Sequence, residues 1–197
     1  MTSYAPSPDL ARSRIAPGAY TSVAKALHWI LAALIILQLV GGIVMGKLPE
    51  DASYASAVFT IHQSNGLTIL ALSLFRLVWR LTHKPPPLPE GTKAWDRLFA
   101  RATQAIFYVL MIAVPLAGWL MVSGHEGSVN FFFLFPVPHL PAVGSHELWE
   151  EAHELLAFGF IGLIPLHIAG ALKHRYVDRD GVLARMLPGR REAAPTH

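Results

Sequence analysis

His153-Glu-Leu-Leu-Ala-Phe-Gly-Phe-Ile-Gly-Leu-Ile-Pro-Leu-His167 is an apolar run with a histidine at each end. Read as a helix rising ~1.5 Å per residue, it sets those histidines roughly 21 Å apart along the axis. At ~100° per residue they differ by only about 40° in azimuth, so they share one face. An ionisable side chain in such a run is costly to bury, which makes function the first explanation to test. Two on one face, at two depths, have the spacing of two ligand positions stacked across a membrane.

The rest of the chain supports a membrane setting. Of its 197 residues 53% are hydrophobic and 15% charged, where a soluble domain carries about a quarter charged residues. Four stretches contain no Asp, Glu, Lys or Arg: Ala26–Gly46, Val58–Phe75, Ala102–Gly124 and Leu155–Leu172. Each has about 18 to 23 residues, enough to cross a ~30 Å hydrocarbon layer as a helix. A fifth uncharged stretch, Gly127–His146, holds Pro136, Pro138 and Pro141. Lost backbone donors and ring clashes make it a loop or interfacial segment. The expected fold is all-α, an integral membrane four-helix bundle with helices near 21–46, 58–81, 97–123 and 146–174. One domain spans 21–188, between a poorly ordered tail at 1–20 and a second tail at 189–197. There is no cysteine, which excludes disulfides, thiolate metal sites, iron–sulfur clusters and covalent c-type haem.

Charge distribution sets the orientation. Arg12, Arg14 and Lys25 precede the first helix; Arg76, Arg80, Lys84, Lys93, Arg97 and Arg101 surround the second connection; Lys173, Arg175, Arg179, Arg185, Arg190 and Arg191 follow the fourth helix. Only Lys47 falls on the other side, so 15 of the 16 basic residues lie on one face. The positive-inside rule places that face, and both termini, in the cytoplasm. This accounts for the basic stretches without a nucleic-acid partner. No cleavable-signal pattern opens the chain, because the first apolar run is long enough to span.

Depth then pairs the histidines. His28 opens helix 1 and His167 closes helix 4, both on the cytoplasmic side; His62 opens helix 2 and His153 opens helix 4, both on the outer side. A b-type haem with two axial imidazoles requires two histidines at one depth on facing helices. Two such pairs are present, with helix 4 contributing to both. His28 plus fourteen is Gly42, where a missing side chain suits either a flat macrocycle or close helix packing. His62 plus fourteen is Arg76, whose guanidinium suits a haem propionate or a snorkelling contact with headgroups. A lone membrane histidine is as readily explained by a hydrogen bond to a neighbouring helix; four, paired by leaflet, favour metal ligation. His83, His125, His139, His146 and His197 read as loop or tail residues in water.

The stretches Tyr20-Thr-Ser-Val-Ala-Lys-Ala-Leu-His28-Trp29, Ile61-His62-Gln-Ser-Asn-Gly66, Arg76-Leu-Val-Trp-Arg80, His153-Glu154 and His167 through Ala171-Leu-Lys-His174 resemble the bacterial cytochrome b561 family in order and spacing. The likeness covers about residue 18 to Pro188. It implies a multi-pass inner-membrane cytochrome with two haem b groups, held by His28 and His167 (inner) and by His62 and His153 (outer), that exchanges electrons with the quinone pool. His174 takes the place of a family histidine near the quinone, as a quinone or proton site. Some family members are reported to take electrons from superoxide and reduce ubiquinone.

The expected function is therefore quinone-reducing, superoxide-oxidase-like electron transfer from a periplasmic one-electron donor, superoxide or a redox protein, to ubiquinone. The alternative is a haem-bearing membrane anchor of a dehydrogenase or hydrogenase complex. A proton or metal transporter fits less well, since the apolar runs hold no carboxylate beside the histidines. The outer segments carry Glu50, Asp51, Glu126, Glu147, Glu150, Glu151 and Glu154 against Lys47. That acidic field repels an anion and attracts a basic protein.

Overall fold

The computed structural model describes residues 19–49, 52–89, 91–124, 129–141 and 143–187. The expectations for most of the two tails, and for Arg12, Arg14, Glu50, Asp51, His125, Glu126, Arg190, Arg191 and His197, lie outside the described residues.

Four helices make up the fold: α1 Ser22–Met45, α2 Ala55–Thr82, α3 Ala94–Ser123 and α4 His146–Lys173. All four are long and apolar enough to cross a membrane. Thr21 caps α1 by accepting a bond from the Ala24 N–H, and Ser145 caps α4 by accepting from the Leu148 N–H; a hydroxyl at each position satisfies a donor the helix itself leaves free. α2 begins about one turn before its uncharged run and α3 about two, where Asp96, Arg97 and Arg101 carry the helix on into the interface. Pro115 and Pro165 lie inside α3 and α4.

The bundle is apolar outside as well as inside. Leu37, Val78, Leu155 and Phe158 are all more than half exposed, as a surface facing lipid requires. The buried centre is small: Leu31, Ile35, Ile69, Leu110, Met111 and Phe160. Phe160 lies seven residues from both His153 and His167, so this cluster sits at a depth between the two histidine levels. Backbones pack closely along α1–α2, α2–α3 and α3–α4. Among the described residues α4 has no comparable backbone contact with α1 or α2.

The proline-rich outer segment adds a short hairpin, β1 Val129–Phe131 paired antiparallel with β2 Phe135–Val137. Pro136 is tolerated because a two-stranded ladder leaves it an edge position. The turn places Phe132 at φ 47° and Phe133 at φ 62°, a conformation bulky residues seldom adopt. The hairpin is pinned to α2 through Ser64, which is fully buried. Ser64 Oγ accepts from the Phe132 N–H at 2.7 Å and has the Thr60 and Asn130 carbonyls within reach of its own proton.

A polar clamp joins α1 to α2. Gln38 Nε2 donates to the His62 carbonyl at 2.9 Å, and Asn65 Nδ2 donates to Gln38 Oε1 at 2.7 Å. Interhelical bonds in membrane proteins contribute roughly 0.6 to 2 kcal/mol each. Gln38→Ala is therefore expected to lower stability by about 1 to 2 kcal/mol in a reversible detergent-unfolding titration. An unchanged midpoint would show the clamp to be energetically idle.

Candidate functional site

Two imidazole pairs occupy the gap between α4 and the α1–α2 side of the bundle. His28 and His167 have ring centres 6.1 Å apart with planes at 68°. His62 and His153 have ring centres 6.3 Å apart with planes at 71°. In each pair the rings meet across helices whose backbones do not otherwise pack closely.

The outer pair is held from α3. His153 Nδ1 lies 2.9 Å from the Val114 carbonyl oxygen. A carbonyl only accepts, so Nδ1 carries the proton and Nε2 keeps the lone pair that binds a metal. Gly118 makes this approach achievable, since a Cβ there would stand 3.0 Å from both His153 Cε1 and Nδ1. His62 has no such anchor: its Nδ1 is buried and without a hydrogen-bond partner among the described residues. Gly42 lies beside this ring, its added Cβ 3.4 Å from His62 Cε1. Gly42 thus stands at the outer level, and its nearest neighbour is an imidazole.

At the inner pair, Phe107 of α3 meets His167 edge-on at 5.2 Å, and Trp29 packs edge-on against His28 at 5.1 Å. Arg76 Nη1 donates to the Ala24 carbonyl at 3.0 Å, one turn before His28. His174 lies past the end of α4, with Nδ1 2.6 Å from Asp180 Oδ2. It is not part of either pair.

Of the loop histidines, His83 and His139 are exposed, as expected, and His146 is half-buried, yet each ring has a partner. His139 Nδ1 donates to the Ser123 carbonyl and His146 Nδ1 to the Met121 carbonyl, both at 3.1 Å. His83 stacks on Trp79 at 3.8 Å. Gly118, Phe107 and Asp180 escape a reading of the sequence because their roles depend on what another segment presents to them. For Gly118 the available signal was a glycine one turn after a helix proline.

The profile of the prokaryotic cytochrome b561 family matches residues 19–189. The chain belongs to that family. It is a membrane b-type cytochrome of electron transport, and a multi-pass protein of the bacterial inner membrane. It is 30% identical to cytochrome b561 homolog 2 of Escherichia coli strain K12, over 87% of this chain and 92% of the relative. It is 29% identical to the protein named "Probable superoxide oxidase CybB" of Yersinia pestis, over 87% and 97%. It is 28% identical to cytochrome b562 of Cereibacter sphaeroides, over 87% and 96%.

A cytochrome b561 implies haem b, and the residues present fit that group. An imidazole nitrogen lies about 1.1 Å from its ring centre and binds a metal at about 2 Å, so opposed axial rings have centres roughly 6.3 Å apart. The two pairs, at 6.1 and 6.3 Å, have that spacing.

Gly118→Ala is expected to displace the His153 ring and break its bond to Val114, at a cost of about 1 to 3 kcal/mol. Thermal unfolding of the purified variant measures this. Wild-type stability would show that the ring yields freely.

Proposed function

We propose that this cytochrome b561 holds two haem b groups, one between His28 and His167 and one between His62 and His153, and passes single electrons from a donor at the periplasmic face to ubiquinone at the cytoplasmic face. The observation that carries this reading is the ring spacing of the two pairs across helices whose backbones do not pack closely. Haem iron with imidazole on both sides has no open position and exchanges electrons without binding oxygen.

The chain's own residues prepare both levels. The Val114 carbonyl fixes the His153 tautomer, and Gly42 and Gly118 keep side chains out of the outer level. Leu31, Ile35, Ile69, Leu110, Met111 and Phe160 fill the space between levels and exclude water there. Arg76, anchored on Ala24 beside His28, keeps further N–H donors for a propionate at the inner level. His174 stands at the cytoplasmic end, where reduction of a quinone consumes protons.

Single replacement of His62 or His153 is expected to reduce a pyridine-haemochrome count from two haems per chain to one. Replacing His153 and His167 together is expected to remove both. A full count in that double variant would sink the reading.

Superoxide is the donor suggested by the name of the Yersinia pestis relative. A basic redox protein is the second reading, favoured by Glu147, Glu150, Glu151 and Glu154 near the outer end of α4, with Lys47 the only basic residue on that side. Ionic strength separates the two, because salt screens the acidic rim. Haem reduction by superoxide is expected to quicken about twofold between ~10 mM and ~150 mM salt. Reduction by a basic donor slows over the same range.

A further inference from the structure

The chain leaves α4 through a π-helical turn, His174–Asp178, and then passes Arg179 at φ 55° and Gly181 at φ 77°. Positive φ at an arginine is uncommon and is found where the surroundings impose it. The residue between these two is Asp180, and the double bend folds its carboxylate back onto α4. Asp180 Oδ2 stands 2.6 Å from His174 Nδ1, while Asp180 Oδ1 accepts the Val182 N–H at 3.1 Å. Both side chains of this pair are mostly buried.

A second carboxylate is close but otherwise engaged. Asp178 Oδ2 lies 3.3 Å from the same nitrogen, yet it accepts from Lys173 Nζ at 2.7 Å. Lys173 also bonds Asp96 of α3 at 3.0 Å and lies over the Trp95 ring, and Lys93 adds positive charge near Asp178. Asp178 is thus drawn toward lysine, and Asp180 makes the shorter contact with His174. Past Asp180 the chain makes a 3₁₀ turn, Leu183–Met186, and is tied across the inner end. Trp29 Nε1 donates to the Met186 carbonyl at 2.9 Å, Lys25 Nζ to the Leu187 carbonyl at 3.5 Å, and Arg185 Nη1 to the Pro87 carbonyl at 2.6 Å. The segment that presents Asp180 is thus a strap fastened beside His28.

We propose that Asp180 is a positioning residue for proton delivery to ubiquinone, with His174 as the group that touches the quinone. This rests on the quinone-reducing reading above. An ionised carboxylate accepts a hydrogen bond from Nδ1–H, which fixes the ring and leaves Nε2, on the side away from Asp180, for a substrate. Reduction of one quinone to its quinol consumes two electrons, which arrive singly through the proposed relay, and two protons from cytoplasmic water. One proton passes from His174 Nε2 to a quinone carbonyl oxygen, and the ring regains it from water. Asp180 holds the Nδ1 proton throughout and balances the ring's charge while both nitrogens are protonated.

The test uses the full-length haem-loaded protein in lipid nanodiscs, reduced with dithionite and reoxidised by a short-chain ubiquinone. Asp180→Asn keeps an oxygen for the Val182 N–H but removes the charge. It is expected to slow maximal reoxidation about tenfold, to leave the half-saturating quinone concentration within about twofold, and to alter the pH profile of the rate. Asp180→Glu is expected to recover much of the rate, and Asp178→Asn to keep it. Adding Asp180→Asn to His174→Gln costs nothing further if the two act as a unit. With wild type active, an Asp180→Asn protein of unchanged rate and pH profile, or a multiplicative loss in the double variant, overturns this inference alone. Wild-type protein that quinone fails to reoxidise overturns the quinone reading and this inference with it.

Discussion

Four imidazoles lie within the membrane-spanning part of an apolar bundle, and each polar nitrogen there must find a partner that water cannot supply. The bundle answers by arranging its helices around the rings rather than around a continuous core. α4 leans on α3, α1 on α2, and α2 on α3, while α4 meets α1 and α2 chiefly through imidazole pairs. Close packing on every side would have removed the space in which two rings face one another. The small buried cluster around Phe160 is what remains of an ordinary core, confined to the depth between the pairs.

The two levels are built differently. At the outer level His153 is fixed by a backbone carbonyl of α3, and two glycines, Gly42 and Gly118, keep the neighbourhood clear. Backbone anchoring suits this end, since a carbonyl cannot rotate away and carries no charge into lipid. At the inner level the neighbours are aromatic and cationic: Phe107, Trp29 and Arg76. Charge is tolerable there because the cytoplasmic headgroup boundary lies within reach of long side chains.

Outside the apolar slab, the connections are held by side-chain bonds to backbone. Ser64 secures the outer hairpin, while Ser123 receives His139 and Leu140 and Met121 receives His146. Trp29, Lys25 and Arg185 secure the strap at the opposite end. Segments that read as solvated loops are thereby tied down at both ends of the bundle, and on the outer side His139 and His146 make part of the attachment. Sequence could not show this, because a histidine in a proline-rich loop has the same local pattern whether or not a carbonyl waits for it.

What the sequence determined alone was periodic and compositional. Uncharged runs long enough to span, basic residues on one side, and a fourteen-residue step between His153 and His167 fix a four-helix membrane bundle with two histidine levels. Such features are legible because helical rise and azimuth are set locally, by a backbone that repeats every 3.6 residues. What only the tertiary structure decided were relations between segments distant in the chain. The 6.1 and 6.3 Å ring spacings, the Val114 carbonyl under His153, the glycine at 118 and the return of Asp180 onto His174 are of this kind. Each depends on how two elements cross or how a bend closes. Those geometries follow from packing, which no local pattern encodes.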